Sequence, residues 1–201
     1  MYRNGVWHIL VREYFQQYVH HEATVIDLGA GYGEFINHIV CGKKYAMDLN
    51  PDTSEQVHSD VEVLLQDCSE PWPLSPHSVD VVFTSNFFEH LPDKATLAKT
   101  LDLAARYLRP GGKIIAMGPN IKYTAGAYWD FWDHHIALGE YALSEVLQQK
   151  GFVVDVAIDK FVPFTMVGTF QYPLFFTSLY LKLPFAWRIF GKQFLVVAHK
   201  E

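Results

Sequence analysis

Residues 25–34 read VIDLGAGYGE, an apolar run that passes into glycines at alternate positions. The run from Ala23 to Leu28 predicts a short buried strand, and the glycines predict a tight turn into a helix over about Glu34 to Val40. Glycine allows such a turn and lets a ligand approach the main chain, because no Cβ is in the way. A ligand-binding loop is therefore expected where the strand ends.

The glycine spacing argues against a dinucleotide-binding loop. That loop has the pattern G-x-G-x-x-G, whereas Gly29, Gly31 and Gly33 alternate with other residues, and the third glycine of the pattern would fall on Glu34. Asp27, the last polar residue of the strand, would repel a pyrophosphate and suits a ligand that is cationic at that point. A nicotinamide-dependent oxidoreductase is therefore disfavoured.

Two further carboxylates stand at predicted strand ends. Asp48 ends a strand predicted over Lys43 to Asp48, and Asp67 follows one predicted over Val61 to Gln66. In nucleoside-binding α/β folds an acidic residue after the second strand accepts the ribose hydroxyls, and Asp67 can accept from an adenine amine. Because the carboxyl ends of parallel strands meet along one crevice, these residues and Asp27 predict a nucleoside site there. For any one carboxylate alone, a strand end that caps a turn is the favoured interpretation, but three such carboxylates in register make it improbable.

Strands and helices alternate along the chain, which predicts an α/β fold with a largely parallel sheet. The chain opens with an amphipathic helix, in which Trp7, Leu10, Val11, Tyr14 and Tyr18 fall at helical spacing. The other predicted elements are a helix capped by Asp93, a helix over Glu140–Lys150, and strands over Val79–Thr84, Lys113–Met117, Phe152–Ile158 and Gln193–Ala198.

Length, charge and cysteine content limit the class of protein. The 201 residues suit one domain over 1–201, to which an N-terminal helix in 1–20 is an addition. The formal net charge of -6 disfavours a surface that neutralises nucleic-acid phosphates. Cys41 and Cys68 form no disulfide framework, and Met1 to Leu10 lacks the apolar block of a signal peptide. We therefore expect a cytoplasmic protein that does not bind nucleic acid.

A set of motifs resembles the class I S-adenosylmethionine-dependent methyltransferases, in particular the small-molecule type related to the ubiquinone-biosynthesis O-methyltransferases. The set comprises VIDLGAGYGEF (25–35), AMDLN (46–50), QDCSEPWPL (66–74), VDVVFTSNFFEHL (79–91) and RYLRPGGKIIAMGPN (106–120). The resemblance implies a Rossmann-like, seven-stranded, mainly parallel sheet in the order 3-2-1-4-5-7-6, with the last strand antiparallel and helices on both faces. It also implies S-adenosylmethionine as methyl donor and S-adenosylhomocysteine as product.

The resemblance further implies where the donor would bind. The three glycines would pass beneath its methionine part, with Asp27 near the ammonium group, and Asp48 would bind the ribose hydroxyls. Asp67 would accept from the adenine amine, with the thiol of Cys68 beside the ring. The full implied donor-binding set is Asp27, Gly29, Gly31, Gly33, Asp48, Leu49, Asp67, Cys68, Asn86 and Phe87.

Methyl transfer needs a base only if the acceptor is a protonated nucleophile, and one candidate region for a base is 86–90, NFFEH. In the ubiquinone-pathway relatives an acidic residue stands where Asn86 is, and E-x-x-E-H can hold a divalent ion. An amide is a poor ligand for a hard cation, so no metal is expected here. Glu89 and His90 are either a hydrogen-bonded pair that braces the start of a helix, or a site in which His90 is catalytic.

The second candidate region for a base is 123–135, YTAGAYWDFWDHH, which follows the fifth predicted strand. Its aromatic residues can wall an apolar acceptor pocket, and His134 or His135 is the expected base, because histidine titrates near neutral pH. The alternative is an aromatic loop packed on the sheet, with histidines that cap turns or face solvent. D-x-x-D-H-H matches no established metal-ligand spacing.

The segment 161–190 is an aromatic insertion between the last two predicted strands, with ten aromatic residues in thirty. Its part from Phe161 to Leu181 carries no charge and has the length of a membrane span, but Pro163 and Pro173 would leave backbone groups unsatisfied in lipid. Extra core, a lid over an apolar acceptor, a homodimer interface and a membrane-surface contact remain open, and substrate cover or self-association is favoured.

The sequence therefore predicts a methyltransferase (EC 2.1.1.-) that acts on an unidentified, partly apolar small molecule. The alternative is a non-catalytic S-adenosylmethionine-binding subunit that docks a partner through its aromatic C-terminal segment. Methylation of nucleic-acid bases is disfavoured, because residues 84–87, TSNF, lack the adjacent prolines and tyrosine expected of enzymes that methylate exocyclic amines.

Overall fold

The computed structural model describes residues 2–163 and 171–201, and these form one seven-stranded sheet in the order β3-β2-β1-β4-β5-β7-β6. The strands are β1 (Thr24–Leu28), β2 (Lys43–Asp48), β3 (Val61–Leu65), β4 (Val79–Ser85), β5 (Leu108–Pro119), β6 (Phe152–Ile158) and β7 (Gln193–Lys200). Strands β1 to β5 pair in parallel, and β7 runs antiparallel to both β5 and β6. The predicted fold class and strand order are confirmed.

The helices cover both faces of this sheet. They are α1 (Tyr2–Glu13), α2 (Thr53–Gln56), α3 (Lys94–Tyr107), α4 (Gly126–Trp129), α5 (Glu140–Gln149), α6 (Phe175–Leu181) and α7 (Pro184–Phe190), with short 3₁₀ turns at Phe15–Tyr18 and Phe88–His90. The helix that Asp93 was predicted to cap is α3, and the Asp93 side chain accepts a hydrogen bond from the Thr96 N–H. Among the helices of the described residues, none is both long and apolar enough to cross a bilayer.

Two apolar layers pack the helices onto the sheet. On one face, Leu101 of α3 and Leu143 of α5 belong to a buried cluster with Ile26 of β1. On the other face, Val11 of α1 and Leu181 of α6 belong to a second buried cluster. Ile26 of β1 faces the first cluster and Val25 faces the second. Because both faces of β1 are buried, its sequence is nearly continuous in apolar residues.

The helix predicted over Glu34 to Val40 is wrong. The chain from 31 to 38 forms successive turns, and only some of its hydrogen bonds have helical spacing. The Asn37 N–H donates to the Gly33 carbonyl four residues back, whereas the His38 N–H donates to Phe35, three residues back. Apolar spacing over so short a stretch does not distinguish a helix from a series of tight turns.

The aromatic insertion is described in part. Residues 164–170 lie outside the described residues, and with them the middle of the uncharged run from Phe161 to Leu181. The described remainder forms α6 and α7, which join β6 to β7. Because β6 runs parallel to β5, this connection leaves the sheet at the same edge as the carboxyl ends of β1 to β5.

Candidate functional site

The predicted strand-end carboxylates lie along the carboxyl edge of the parallel strands, and each also anchors a turn. Asp48 Oδ2 accepts from the Gly31 N–H at 2.7 Å and Oδ1 accepts from the Asn50 N–H at 2.9 Å. Asp67 Oδ1 accepts from the Ser69 N–H at 2.7 Å. Asp48 thus ties the turn after β1 to the end of β2, a link that its predicted role did not include.

The surroundings of Asp27 disfavour the ionised form of its carboxyl group. It is 3% exposed, and burial raises its pKa well above the usual value for an aspartate, with further increases from the charges of Glu34 and Asp48. A hydrogen bond from the Ile36 backbone offsets part of this effect. Arg3 pairs with Glu34 at 2.6 Å rather than with Asp27. Of these causes burial is the largest, and it is the negative charges of Glu34 and Asp48 that favour a positively charged ligand beside Asp27.

The three glycines all adopt left-handed backbone conformations, with φ of 68° at Gly29, 52° at Gly31 and 72° at Gly33. A Cβ at Gly31 would meet no atom within 4 Å, so the backbone there borders open space. A Cβ at Gly29 would lie 2.2 Å from the ring of Phe87, which packs over the first turn of the loop. Of the common residues, only glycine adopts these left-handed conformations without strain, so the loop depends on glycine at all three positions.

Asn86 occupies a special position directly after β4. Its φ is 50°, its backbone N–H donates to the Met117 carbonyl at 2.9 Å, and its side-chain amide donates to Ser85 Oγ at 3.0 Å. Its Oδ1 is buried and has no hydrogen-bond partner among the residues the structure describes. A buried acceptor without a partner is costly, so it marks a place where a ligand donor or a water is expected.

Two smaller members of the predicted donor set also lie at this edge. Burial raises the pKa of Cys68 to about 11, so its thiol is neutral near pH 7, and its Sγ lies 3.5 Å from Thr100 Oγ1. Leu49, next to Asp48, is 70% exposed. A neutral buried thiol and an exposed leucine are both apolar surfaces against which a planar ring can pack.

The two candidate regions for a base meet in space. Tyr128 donates its hydroxyl to Glu89 Oε1 at 2.9 Å, and the backbone N–H groups of His135 and Ile136 donate to the Glu89 carbonyl at 2.7 and 3.2 Å. Glu89 is 2% exposed, and burial raises its pKa. Through these hydrogen bonds Glu89 holds the aromatic loop against the end of β4.

His134 and His90 lie side by side, with ring centroids 4.9 Å apart. His134 Nδ1 lies 2.6 Å from the Tyr128 carbonyl, and His90 Nδ1 lies 3.2 Å from the Asp133 carbonyl and 3.1 Å from its carboxylate. A carbonyl can only accept, so each ring carries hydrogen on Nδ1 and offers Nε2 as its proton acceptor when neutral. The side chain of His135, in contrast, is exposed.

His90, Asp133 and His134 also form a group that could hold a metal ion. One ligand atom from each lies within 4.8 Å of the others, and no other such group occurs within 2–163 and 171–201. The hydrogen bonds just described account for their proximity without an ion. That the protein uses no metal remains a prediction.

Residues 26–116 match the methyltransferase domain. The matched segment contains the last three residues of β1, all of β2, β3, β4 and α3, and most of β5, and it includes every residue of the predicted donor-binding set. A search of curated protein sequences found no match.

Solved structures share the whole fold. The complex of the Haloferax volcanii Trm112 methyltransferase activator with a proposed methyltransferase contains a chain with a TM-score of 0.70 and 19% identity, over 96% of this chain and 89% of that one. A SAM-dependent methyltransferase from Archaeoglobus fulgidus has a TM-score of 0.69 and 20% identity, over 96% and 92%. A geranyl diphosphate methyltransferase in complex with SAM has a TM-score of 0.67 and 13% identity, over 98% and 85%.

The domain match supports S-adenosylmethionine as the methyl donor. The solved structures share the seven-stranded fold of this chain. At such low identities the structural likeness concerns the fold. These comparisons do not test the resemblance to the ubiquinone-biosynthesis O-methyltransferases, so that part of the resemblance stays a prediction.

Proposed function

We propose that the protein is an S-adenosylmethionine-dependent methyltransferase that acts on a small, partly apolar molecule. The observation that carries the proposal is buried Asp27 beside the left-handed glycine loop, where burial and the charges of Glu34 and Asp48 raise its pKa. S-adenosylmethionine presents an ammonium and a sulfonium cation, which fit this environment, whereas a pyrophosphate does not. The match of residues 26–116 to the methyltransferase domain supports the same donor.

The residues at the crevice fit the remaining parts of the donor. Open space above Gly31 allows a ligand to approach the backbone, and Asp48 is suited to accept from the ribose hydroxyls beside Leu49. Asp67 and the neutral thiol of Cys68 would flank the adenine. The unpaired Oδ1 of Asn86 offers an acceptor near the methionine part, which Phe87 would border.

When bound, the donor supplies an electrophilic methyl group, so the chain's own residues have to orient the acceptor and exclude water. The aromatic side chains of the 123–135 loop, held at the crevice by the contact of Tyr128 with Glu89, would form the acceptor wall. If the acceptor is a hydroxyl or a protonated amine, His134 is the preferred base. Its Nδ1–H is fixed by the Tyr128 carbonyl, which leaves Nε2 to take the proton.

A second candidate function is a donor-binding subunit that works through a partner. The observation that favours it is the exposed apolar surface of the aromatic insertion, which includes Phe175 and Phe185. The Haloferax volcanii structure is a complex with a methyltransferase activator, so the fold accepts a partner protein in that case. Donor binding without turnover on any acceptor, together with a stable partner, would favour this function.

The first experiment is calorimetric titration of S-adenosylmethionine into the wild type and Asp48→Ala, with NADH as the control ligand. We expect wild-type binding that Asp48→Ala weakens at least about tenfold, since a hydrogen bond to a charged group contributes roughly 1.5–3 kcal/mol. Asp52→Ala removes the same charge from an exposed neighbouring position and should bind as the wild type does. The donor site would be refuted if S-adenosylmethionine bound Asp48→Ala and the wild type with equal affinity. It would also be refuted if the wild type bound NADH and not S-adenosylmethionine.

The second experiment compares adjacent histidines. In an assay that measures S-adenosylhomocysteine release over a panel of hydroxyl and amine acceptors, His134→Ala should lose about 10²–10⁴-fold in kcat, the usual contribution of a general base. His135→Ala removes the same side chain from an exposed position and should change kcat little. A large loss of kcat in His135→Ala and little change in His134→Ala would show that His135 is the base.

A further inference from the structure

We propose that the outer face of α6 and α7 docks the protein on the surface of an anionic lipid bilayer. We define this outer face by five exposed apolar side chains: Phe175, Phe176 and Leu179 of α6, and Phe185 and Ile189 of α7. The proposal goes beyond the proposed function and does not depend on it, because it concerns a surface outside the donor crevice.

The inner sides of the two helices are fixed to the body of the protein. Tyr180 donates its hydroxyl to the Phe161 carbonyl at 2.7 Å, and the Trp187 indole N–H donates to the Tyr180 carbonyl at 2.8 Å. Ser178 donates to the carboxylate of Glu13, at the end of α1, at 2.5 Å. Leu181 is buried in the same layer as α1. These contacts orient both helices against one layer, with their apolar outer sides directed away from it.

The outer face exposes more apolar surface than a polar environment favours. Phe185 is 63% exposed and Ile189 is 65% exposed, and these two residues lie one helical turn apart. Phe175, Phe176 and Leu179 share one side of α6 in the same way. Single exposed apolar residues are common on protein surfaces, whereas a group of them on neighbouring helices marks a contact surface.

The charges around the outer face select an anionic partner. From Lys160 to Lys192 the sequence has four Lys and Arg residues and no Asp or Glu, although the whole chain has a formal net charge of -6. Lys182 follows α6 and Arg188 lies within α7, and both are exposed. Short amphipathic helices with aromatic residues on one side and flanking cations are typical of segments that lie in the headgroup region of a bilayer.

A second copy of the chain fits this surface less well. In a two-fold dimer the same patch is used on both protomers, so Lys182 and Arg188 would enter an interface whose other half carries the same two cations. The segment from Lys160 to Lys200 contains no carboxylate to pair with them, and the carboxylate of Glu13 beside α6 already accepts a hydrogen bond from Ser178. Like charges across such an interface are unfavourable, whereas phosphate headgroups would neutralise them.

The test is flotation of the full chain with lipid vesicles. One set of vesicles is phosphatidylcholine alone, and the other contains roughly 30 mol% phosphatidylglycerol as the anionic lipid. We expect the wild type to float with the anionic vesicles at about 0.1 M salt, and to float much less with the neutral vesicles or at about 0.5 M salt.

Two double variants separate the contributions that the apolar and the charged side chains make to vesicle binding. Phe185→Ser with Ile189→Ser should abolish flotation, and Lys182→Glu with Arg188→Glu should weaken vesicle partitioning at least about tenfold. The matched controls lie on the opposite helical layer and should float as the wild type does: Tyr141→Ser, and Lys94→Glu with Arg106→Glu. All the substituted positions are exposed, and equal thermal midpoints would show that the variants fold.

Several outcomes would overturn the proposal. They are no flotation of the wild type on anionic vesicles, equal flotation on both vesicle types, or equal losses in the control variants. Sedimentation velocity gives a further check without lipid. If the wild type is a dimer that Phe185→Ser with Ile189→Ser converts to a monomer, the occupant of the outer face is a second copy of this chain and not lipid.

Discussion

Asp27 shows at the scale of one residue how a buried carboxyl group, here one of the proposed donor site, reduces stability. Its pKa is raised by burial and by neighbouring carboxylates, so the folded protein holds this proton more tightly than the unfolded chain does. Its stabilising contribution is therefore present below the ordinary aspartate pKa and is lost as the pH rises through the raised value. We predict that Asp27→Asn is more stable than the wild type at pH 7 but binds S-adenosylmethionine more weakly.

Thermal melts of Asp27→Asn and the wild type as a function of pH test this prediction. The difference between their midpoints should be largest near neutral pH and should disappear below about pH 4, where the wild-type carboxyl is protonated in both states. Asp52→Asn, at an exposed position, is the control and should show no such pH dependence. A lower midpoint for Asp27→Asn at pH 7 would contradict the prediction.

Gly31 and Gly111 form a matched pair of positions, since Gly31 follows the carboxyl end of β1 and Gly111 lies near the amino end of β5. Both have a left-handed φ, 52° and 74°, and at both a Cβ would meet no atom within 4 Å. Substitution by alanine should therefore cost similar stability, about 1–2 kcal/mol for the left-handed backbone. We predict that only Gly31→Ala weakens donor binding, as measured by calorimetry, because in the proposed site the donor would approach the backbone at Gly31 and not at Gly111. Equal affinities of the two variants would remove Gly31 from the donor site.

At the scale of elements, Gly191 decides how α7 returns to β7. A Cβ there would lie 2.6 Å from the Lys160 carbonyl carbon and 2.6 Å from the Trp187 oxygen, which are backbone atoms that cannot rotate away. Gly191→Ala should therefore destabilise the protein by about 1–3 kcal/mol, the usual cost of overpacking. Gly126→Ala, where nothing lies within 4 Å, should change the unfolding free energy little. Urea unfolding of the two variants measures the difference.

The elements also show which features a sequence pattern can predict. The strands that carry Asp27 and Asp48 were predictable, because a run of apolar residues that ends at a carboxylate and a turn has few other structures available. The helix over Glu34 to Val40 was not, since seven residues with several apolar positions fit tight turns as well. The contact of Tyr128 with Glu89 joins residues 39 positions apart, and no local pattern encodes such a distance.

At the scale of the whole molecule, the strand order places three features at one edge. The donor crevice after β1 to β4, the aromatic loop after β5, and the connection that carries α6 and α7 all leave the sheet at its carboxyl side. Strand order comes from pairing between distant segments, so here it followed from the resemblance of several motifs together and not from periodicity.

Donor binding at this edge should stabilise the whole fold, because the crevice exists only when β1, β2 and β4 are assembled. At a ligand concentration about 100 times Kd, binding to the folded state alone adds about 2.7 kcal/mol. For a chain of this size that corresponds to an increase in Tm of about 5–10 °C. We predict this increase with S-adenosylmethionine for the wild type and Asp52→Ala, and a much smaller one for Asp48→Ala at the same concentration. An increase in Tm that is as large with NADH would show that the stabilisation is not specific to the donor.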